Sequence, residues 1–157
     1  MQREFKPISV YFIPGNLQAA VFLYPKNGAK SIEDVLTIAI GFFEGTALAT
    51  HLCKETHPRP MTHQLIINVL KQLGATIEKI VITDLKNNIF YSNIYMTYQG
   101  QQQVLDSRPS DAMVLATIAG APIYVEDEVI RKHNEHRMFG RLDEVLKNID
   151  PTKMPKM

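Results

Sequence analysis

The chain has 157 residues, 45% hydrophobic and 21% charged, which suits one globular domain with a substantial core. Its formal net charge of +1 argues against bulk binding of nucleic acid through many phosphates, although a local basic patch between Arg131 and Lys156 is compatible with it. The single cysteine, Cys53, excludes an intramolecular disulfide and an all-cysteine metal site.

The N-terminal half predicts strands followed by two helices. Residues 8–13, 18–24 and 35–40 are apolar, aromatic or β-branched and are bounded by turn residues, as in strands. Residues 42–54 have helical spacing. The next helix is expected to begin with Thr62 as its N-cap. It carries an apolar stripe that predicts a buried face: Leu65, Ile66, Val69, Leu70 and Leu73.

The C-terminal half predicts a hairpin, a buried helix and a short strand. Residues 77–83 and 89–98 favour two strands joined by a turn, and 103–105 lead to a polar junction. Residues 112–119 are apolar on all sides apart from Thr117, which predicts the central helix of the fold. A strand over 122–125 and weaker helices over 127–132 and 142–147 follow. We therefore predict one α+β domain over residues 1–150, a mixed sheet with helices packed on it, and a loosely ordered tail over 151–157.

The polar junction is Asp106-Ser107-Arg108-Pro109-Ser110-Asp111, and it is the most informative stretch of the chain. It lies between a strand and a helix, where several polar groups can point to one place beside a helix N-terminus that attracts anions. Asp111 is also expected to be an N-cap or first-turn residue. Arg108 is equally compatible with a bracing role, paired with Asp106 or Asp111.

A shorter version of the junction, Arg59-Pro60-Met61-Thr62, stands about fifty residues upstream. Both predicted helices that follow end in Gly-Ala, at Gly74 and Gly120, and both lead into a strand. The match is short enough to arise by chance. If it is an internal repeat, it predicts two strand–loop–helix units that bring Arg59 and Arg108 to comparable positions.

The junction resembles a known family signature. Arg108 to Ala112, followed by an apolar helix and Gly-Ala-Pro-Ile-Tyr-Val at 120–125, is similar to the motif of the bifunctional nuclease (BFN) domain family. Supporting segments occur in the family's order at 40–44, 59–63, 81–85 and 89–91, so the resemblance covers roughly residues 18–130. The chain departs from the family at Gln64, where an aspartate is usual, and at Gly45, where alanine is common.

The resemblance implies an α+β homo-oligomer, a dimer or larger, that hydrolyses DNA and RNA. In such a nuclease Asp106 and Asp111 would hold Mg²⁺ or Mn²⁺ or act as a base. Arg108 and Arg59 would bind phosphate, and His63 would transfer a proton near neutral pH. No organic cofactor is expected. The chain has neither a signal-peptide pattern at its N-terminus nor an apolar run of membrane-spanning length, so we expect a cytoplasmic protein without a membrane partner.

A second reading belongs to a different class of protein. The near-neutral charge, Gln64 and the structural roles open to each polar residue also fit a non-catalytic oligomeric module that binds an anionic ligand or a protein partner. The two readings differ in the surroundings of the carboxylates. A nuclease should crowd them together, whereas a module should pair each one with an arginine or with backbone N–H groups.

Overall fold

The structure is a computed structural model that describes residues 1–137, which form seven strands and four α-helices. The strands are β1 (Gln2–Phe12), β2 (Gln18–Pro25), β3 (Leu36–Gly41), β4 (Thr76–Lys86), β5 (Ile89–Tyr98), β6 (Gln101–Ser107) and β7 (Ile123–Glu126). The helices are α1 (Phe42–Leu52), α2 (Thr62–Gln72), α3 (Pro109–Ala119) and α4 (Asp127–Arg137). The predicted α+β class with a single mixed sheet is confirmed. The predicted helix over 142–147 and the predicted tail lie outside the described residues.

The seven strands pair in the order β3-β2-β1-β7-β4-β5-β6. All neighbours are antiparallel except β4 and β7, which are parallel. The edge strands β3 and β6 each lead directly into a helix, α1 and α3 respectively. An ion pair joins the first turn of α1 to the start of α3. The ends of the two edge strands must therefore approach each other, which requires a strongly curled sheet.

Helix α3 is the central helix, as the all-round apolar pattern predicts. It contacts β4 and β5, while α1 contacts β1, β2 and β3, and both α1 and α2 contact α3. The residues from Ala112 to Ala116 are all buried. The first turns of the three helices share side-chain contacts. Ile67 of α2 lines a cavity with Ile118 near the end of α3, and Leu52 at the end of α1 lines another with Thr117 of α3, so the three helices run in broadly the same direction. Three helix N-termini consequently meet at one end of the core.

Helix α2 corrects two predictions. Its N-cap is Met61 rather than Thr62, which is the first helical residue. Its predicted buried stripe is largely exposed: Leu65 53%, Ile66 40%, Val69 49% and Leu73 59%. Ile67 is the buried residue of this helix, and Leu70 is partly buried against the core. Periodicity finds an apolar stripe, but it does not identify the surface that covers it.

The order of the elements does not fit a complete internal repeat. Helix α2 follows α1 and a loop, so the strand that an internal repeat requires before Arg59 is absent. After the two arginine-proline segments the internal similarity is real: α2 leads into β4, α3 leads into β7, and these two strands are adjacent and parallel. No helix in residues 1–137 has both the length and the apolar character needed to cross a membrane.

Candidate functional site

The candidate site lies where the N-termini of α1, α2 and α3 meet. Their N-cap residues are Gly41, Met61 and Arg108. Gly41 has no side chain, and the side chains of Met61 and Arg108 form no hydrogen bond with the backbone of the first turn. The first backbone N–H groups of a helix have no partner within the helix, and the helix dipole places partial positive charge at this end. The meeting point of three such ends favours anionic groups.

Four side chains from these first turns form a continuous hydrogen-bonded chain. Arg108 donates from Nη2 to Oε1 of Glu44 at 2.8 Å and from Nε to Oδ2 of Asp111 at 2.8 Å. The other oxygen of Asp111, Oδ1, lies 2.9 Å from Nε2 of His63. Glu44, His63 and Asp111 lie in the first turns of α1, α2 and α3, and Arg108 is the N-cap of α3, so the chain links all three helices.

Asp111 is the centre of this chain. Burial raises the pKa of its carboxyl, but hydrogen bonds from Arg108 and His63, together with their charges, outweigh burial and hold the pKa below its ordinary value. Its position in the first turn of α3 adds a favourable interaction with the helix dipole. Asp111 is therefore ionised at neutral pH, and the predicted first-turn position is confirmed.

Arg108 is anchored by two carboxylates and still faces solvent. Hydrogen bonds to Asp111 and then to Glu44 raise the pKa of its guanidinium, and 66% of its side chain is exposed. A guanidinium has five N–H donors in a fixed plane, so these two contacts leave others available. The geometry holds an arginine in one orientation and presents its remaining donors outward, as bidentate binding of a phosphate requires.

His63 is more enclosed, with 13% of its side chain exposed. When it is neutral with the proton on Nε2, it donates to Asp111 and leaves Nδ1 as an acceptor. This arrangement, in which a carboxylate orients an imidazole, is the one that allows histidine to act as a general base. His51 is also near: burial lowers the pKa of His51, and the charges of His63 and His57 lower it further.

Hydrogen bonds join three of the five candidate residues, and the other two have no such contact with them. Asp111, Arg108 and His63 are in the chain described above. Asp106 is exposed on β6, opposite Asn93 of β5, and within residues 1–137 no hydrogen bond or ion pair reaches its side chain. Arg59 is likewise exposed and has no such contact with any of those residues.

The residues do not form a ready-made site for a divalent cation. In the described part of the chain, no group of three or more His, Cys, Asp or Glu side chains is arranged to hold a metal ion. Both oxygens of Asp111 and one oxygen of Glu44 already accept hydrogen bonds from His63 or Arg108. A cation would have to displace these partners, so the Mg²⁺ or Mn²⁺ expected at Asp106 and Asp111 stays a prediction.

Glu44 is a member of the site that sequence reasoning did not select. It lies in the first turn of α1, and 19% of its side chain is exposed. The signal is a carboxylate three residues after Gly41, in a segment of the family resemblance, where it also fits a role in complementing the helix dipole. Local pattern could not connect it to Arg108, because the two are 64 positions apart.

The structure shows what the side chain of Gln64 and the backbone of Gly45, the two departures from the family pattern, contact. Gln64 donates from Nε2 to Oδ1 of Asn68 at 3.0 Å, one turn along α2. Gly45 is buried where α1 crosses the sheet. A Cβ there would lie 2.8 Å from Cβ of Ala19 and 3.4 Å from side-chain atoms of Phe12 and Val10. An alanine at position 45 would therefore require the helix and sheet to separate slightly.

Comparison with known proteins gives a family match and several relatives. Residues 26–137 match the sequence model of the bifunctional nuclease domain. A protein of Mycobacterium tuberculosis strain H37Rv, described as uncharacterized, is 33% identical over 113 residues, which are 72% of this chain and 65% of that protein. Bifunctional nuclease 1 of Oryza sativa subsp. japonica is 27% identical over 75 residues, 46% of this chain and 23% of the plant protein.

The chain aligns with only part of each relative: about two thirds of the length of the mycobacterial protein and about a quarter of the length of the rice protein. The matched region nevertheless contains all four residues of the hydrogen-bonded chain, since Glu44, His63, Arg108 and Asp111 lie within 26–137. The meeting point of the three helix N-termini is thus part of the shared domain, and the chain belongs to the bifunctional nuclease domain family.

Proposed function

We propose that this chain is a nuclease that hydrolyses phosphodiester bonds of DNA and RNA at the junction of α1, α2 and α3. The match of residues 26–137 to the bifunctional nuclease domain carries the proposal. The site we propose is the hydrogen-bonded chain Glu44–Arg108–Asp111–His63 at three helix N-termini without side-chain caps. Pairing of its carboxylates with Arg108 is the arrangement expected of the non-catalytic module, so the chain alone does not separate the two readings. Arg108 binds the non-bridging oxygens of the scissile phosphate with the donors that Glu44 and Asp111 leave free. Developing negative charge in the transition state is stabilised by that guanidinium and by the helix N-termini.

In this proposal His63 and Asp111 form the base. Asp111 accepts a hydrogen bond from Nε2–H of His63 and orients the ring, and Nδ1 takes a proton from the water that attacks phosphorus. As the new P–O bond forms, the bond from phosphorus to the leaving oxygen breaks, and that oxygen takes a proton from solvent. Asp111 also holds Arg108, so one carboxylate fixes both the base and the phosphate ligand. Arg59, in the loop before α2, contributes a weaker, salt-dependent contact with a neighbouring phosphate of the strand.

Dependence on Mg²⁺ or Mn²⁺ is a separate part of the proposal. The family resemblance supports it, whereas the paired carboxylates of Asp111 and Glu44 offer no vacant ligand set. When bound, such a cation would supply charge stabilisation and an activated water. Asp106, an exposed carboxylate without a partner among residues 1–137, is the additional ligand that the metal hypothesis requires. Cytoplasmic location also stays a prediction.

The first experiment is cleavage of end-labelled single-stranded DNA and RNA by highly purified protein in Mg²⁺, Mn²⁺ or EDTA. Asp111→Asn is prepared in the same way, with Glu78→Gln, an exposed carboxylate of β4, as the matched control. We expect cleavage by the wild type and by Glu78→Gln and its loss in Asp111→Asn. Asp106→Asn then tests the metal hypothesis, because a ligand role predicts that this variant needs a higher metal concentration for half-maximal activity.

Two outcomes would contradict the proposal. Equal activity of the wild type and Asp111→Asn would indicate a contaminant or a different site. Absence of cleavage by all variants under all metal conditions would leave anion binding without catalysis. Activity that persists in EDTA but is lost in Asp111→Asn would retain the histidine-based site and remove the metal from it.

A second candidate function is supported by the exposed face of α2. We propose that this face, defined by Leu65, Ile66, Val69 and Leu73, packs against a second copy of the chain. The stripe has no charged residue, so two copies can meet on it without bringing like charges together. In this reading the protein is an oligomeric anion-binding module, and the Glu44–Arg108–Asp111–His63 chain serves to recognise a ligand.

Light scattering after size-exclusion chromatography tests the oligomer. We expect a dimer or larger for the wild type and a shift to monomer for Val69→Glu. Gln72→Glu, which adds the same charge at an exposed polar position of α2, is the control and should leave the mass unchanged. A wild-type monomer at all concentrations would contradict self-association through this face.

A further inference from the structure

Gly41 occupies the turn between β3 and α1, where it is the N-cap of the helix. Its backbone has φ −66° and ψ 156°, which any amino acid adopts readily. The conformation therefore gives no reason for glycine at this position. Gly41 differs in this from Gly74 and Gly120, which have positive φ.

The reason for glycine lies in the space beside its Cα. A Cβ on residue 41 would overlap Oε2 of Glu44 and would lie 3.2 Å from its Cδ. Glu44 folds back over the N-terminus of its own helix and fills the volume that a side chain at position 41 would need. From there its other oxygen accepts the hydrogen bond from Nη2 of Arg108 at 2.8 Å.

We infer that Gly41 is a positioning residue of the phosphate site: its missing side chain allows Glu44 to hold the guanidinium of Arg108 in place. The inference rests on the proposed function insofar as Arg108 binds phosphate. Asp111 holds Arg108 through Nε, and Glu44 holds it through Nη2. Loss of either contact frees the guanidinium to rotate about the remaining one.

The expected consequence of a side chain at position 41 is specific. The atoms that it would meet belong to the carboxylate end of Glu44, which can rotate away at little cost to the fold. After that rotation, the carboxylate no longer reaches Arg108. Gly45 provides the contrast on the same helix, because there the added methyl group would meet Ala19 in the core. A substitution at 45 is expected to lower stability, and one at 41 to weaken binding.

The test is a double-mutant cycle of Gly41→Ala and Glu44→Ala. Fluorescence anisotropy of a labelled single-stranded oligonucleotide in EDTA reports affinity, and thermal unfolding reports the fold. We expect each single variant to weaken binding by roughly threefold to tenfold, the range for one charge-assisted hydrogen bond to a positioned group. We expect the double variant to bind no more weakly than Glu44→Ala, because no carboxylate then remains to be displaced.

Two results would overturn the inference. One is a loss of affinity in the double variant equal to the product of the two single losses. The other is unchanged affinity in Gly41→Ala when Glu44→Ala lowers it. A readout without ligand separates it from the proposed function. The coupling between Glu44→Ala and Arg108→Ala in urea unfolding should be measurable when residue 41 is glycine and absent in the Gly41→Ala background. If the wild type binds no oligonucleotide but this coupling disappears, the proposed function fails and the positioning role stands. If the coupling is the same in both backgrounds, the positioning role fails.

Discussion

The two arginine-proline segments look alike in sequence and differ in structure. Arg108 is the N-cap of α3, and Pro109 is its first residue. Arg59 and Pro60 lie two positions and one position before the N-cap of α2, which is Met61. The same tetrapeptide pattern is therefore shifted by two residues relative to the helix that follows it. This shift places Asp111 in the third helical position, whereas the aligned Thr62 is in the first.

The shift has consequences for both arginines. Arg108 points across the helix N-termini, where Asp111 and Glu44 hold it. Arg59 remains exposed in the loop, and none of residues 1–137 provides it with a hydrogen bond or ion pair. The structural partner of Asp111 on α2 is His63, not Thr62. The upstream segment thus reaches the hydrogen-bonded chain through His63, the residue that follows it, and not through its arginine.

The largest expected difference is in stability, between substitutions in α3 and substitutions in α2. Met113 of α3 is fully buried in the core, whereas Leu65 of α2 is 53% exposed. We expect Met113→Ala to lower the free energy of unfolding by about 2–5 kcal/mol through lost burial and a cavity. Leu65→Ala should change it by within about 0.5 kcal/mol, measured by urea unfolding at a protein concentration low enough to keep the chain monomeric. Equal losses would mean that α2 is as much a core helix as α3.

The two arginines give the next largest difference. We expect Arg108→Ala to weaken binding of a single-stranded oligonucleotide by roughly tenfold to hundredfold, since it removes hydrogen bonds from a charged, oriented donor worth about 1.5–3 kcal/mol. Arg59→Ala should weaken it by less than about threefold at low salt, and its effect should vanish as salt is added. Fluorescence anisotropy over a salt series measures both. An equal or larger effect of Arg59→Ala would make the upstream segment the main phosphate ligand.

The contrast between local and distant contacts also explains what the sequence could predict. The buried character of α3, the first-turn position of Asp111 and its proximity to Arg108 depend on residues within one short segment. The contacts of Glu44 with Arg108 and of His63 with Asp111 join residues 64 and 48 positions apart. They depend on a curled sheet that brings β3 and β6 together at their ends, which no local pattern encodes. For the same reason, residue spacing reveals the apolar stripe of α2 but not that most of the stripe faces away from the core.

The ends of the two helices should behave alike, in contrast to their beginnings. Gly74 and Gly120 have φ of 74° and 69°, and a Cβ at either position would have no atom within 4 Å. The following residues, Ala75 and Ala121, donate backbone hydrogen bonds of 2.9 Å to Leu70 and Ala116. We expect Gly74→Ala and Gly120→Ala to cost about 1–2 kcal/mol each through the left-handed conformation alone. Clearly unequal losses of unfolding free energy, measured by urea unfolding, would show that the C-terminal ends of α2 and α3 differ as their N-terminal ends do.

The smallest expected effect concerns the carboxylate that α3 has in its first turn and α2 lacks. Burial raises the pKa of Asp111, but the hydrogen bonds from Arg108 and His63 prevail, so its folded pKa lies below the unfolded value. A depressed carboxyl pKa contributes stability above the unfolded pKa, and that contribution is lost as the pH falls through the folded pKa. The free energy of unfolding of the wild type should therefore fall more steeply than that of Asp111→Asn as the pH is lowered through the acidic range.

Because other carboxylates titrate in both proteins, the measured quantity is the difference between the unfolding free energies of the wild type and Asp111→Asn at each pH, both obtained from urea unfolding. A difference that does not change with pH would mean that His63 and Arg108 do not stabilise the ionised form of Asp111, and the proposed orientation of the base would lose its support.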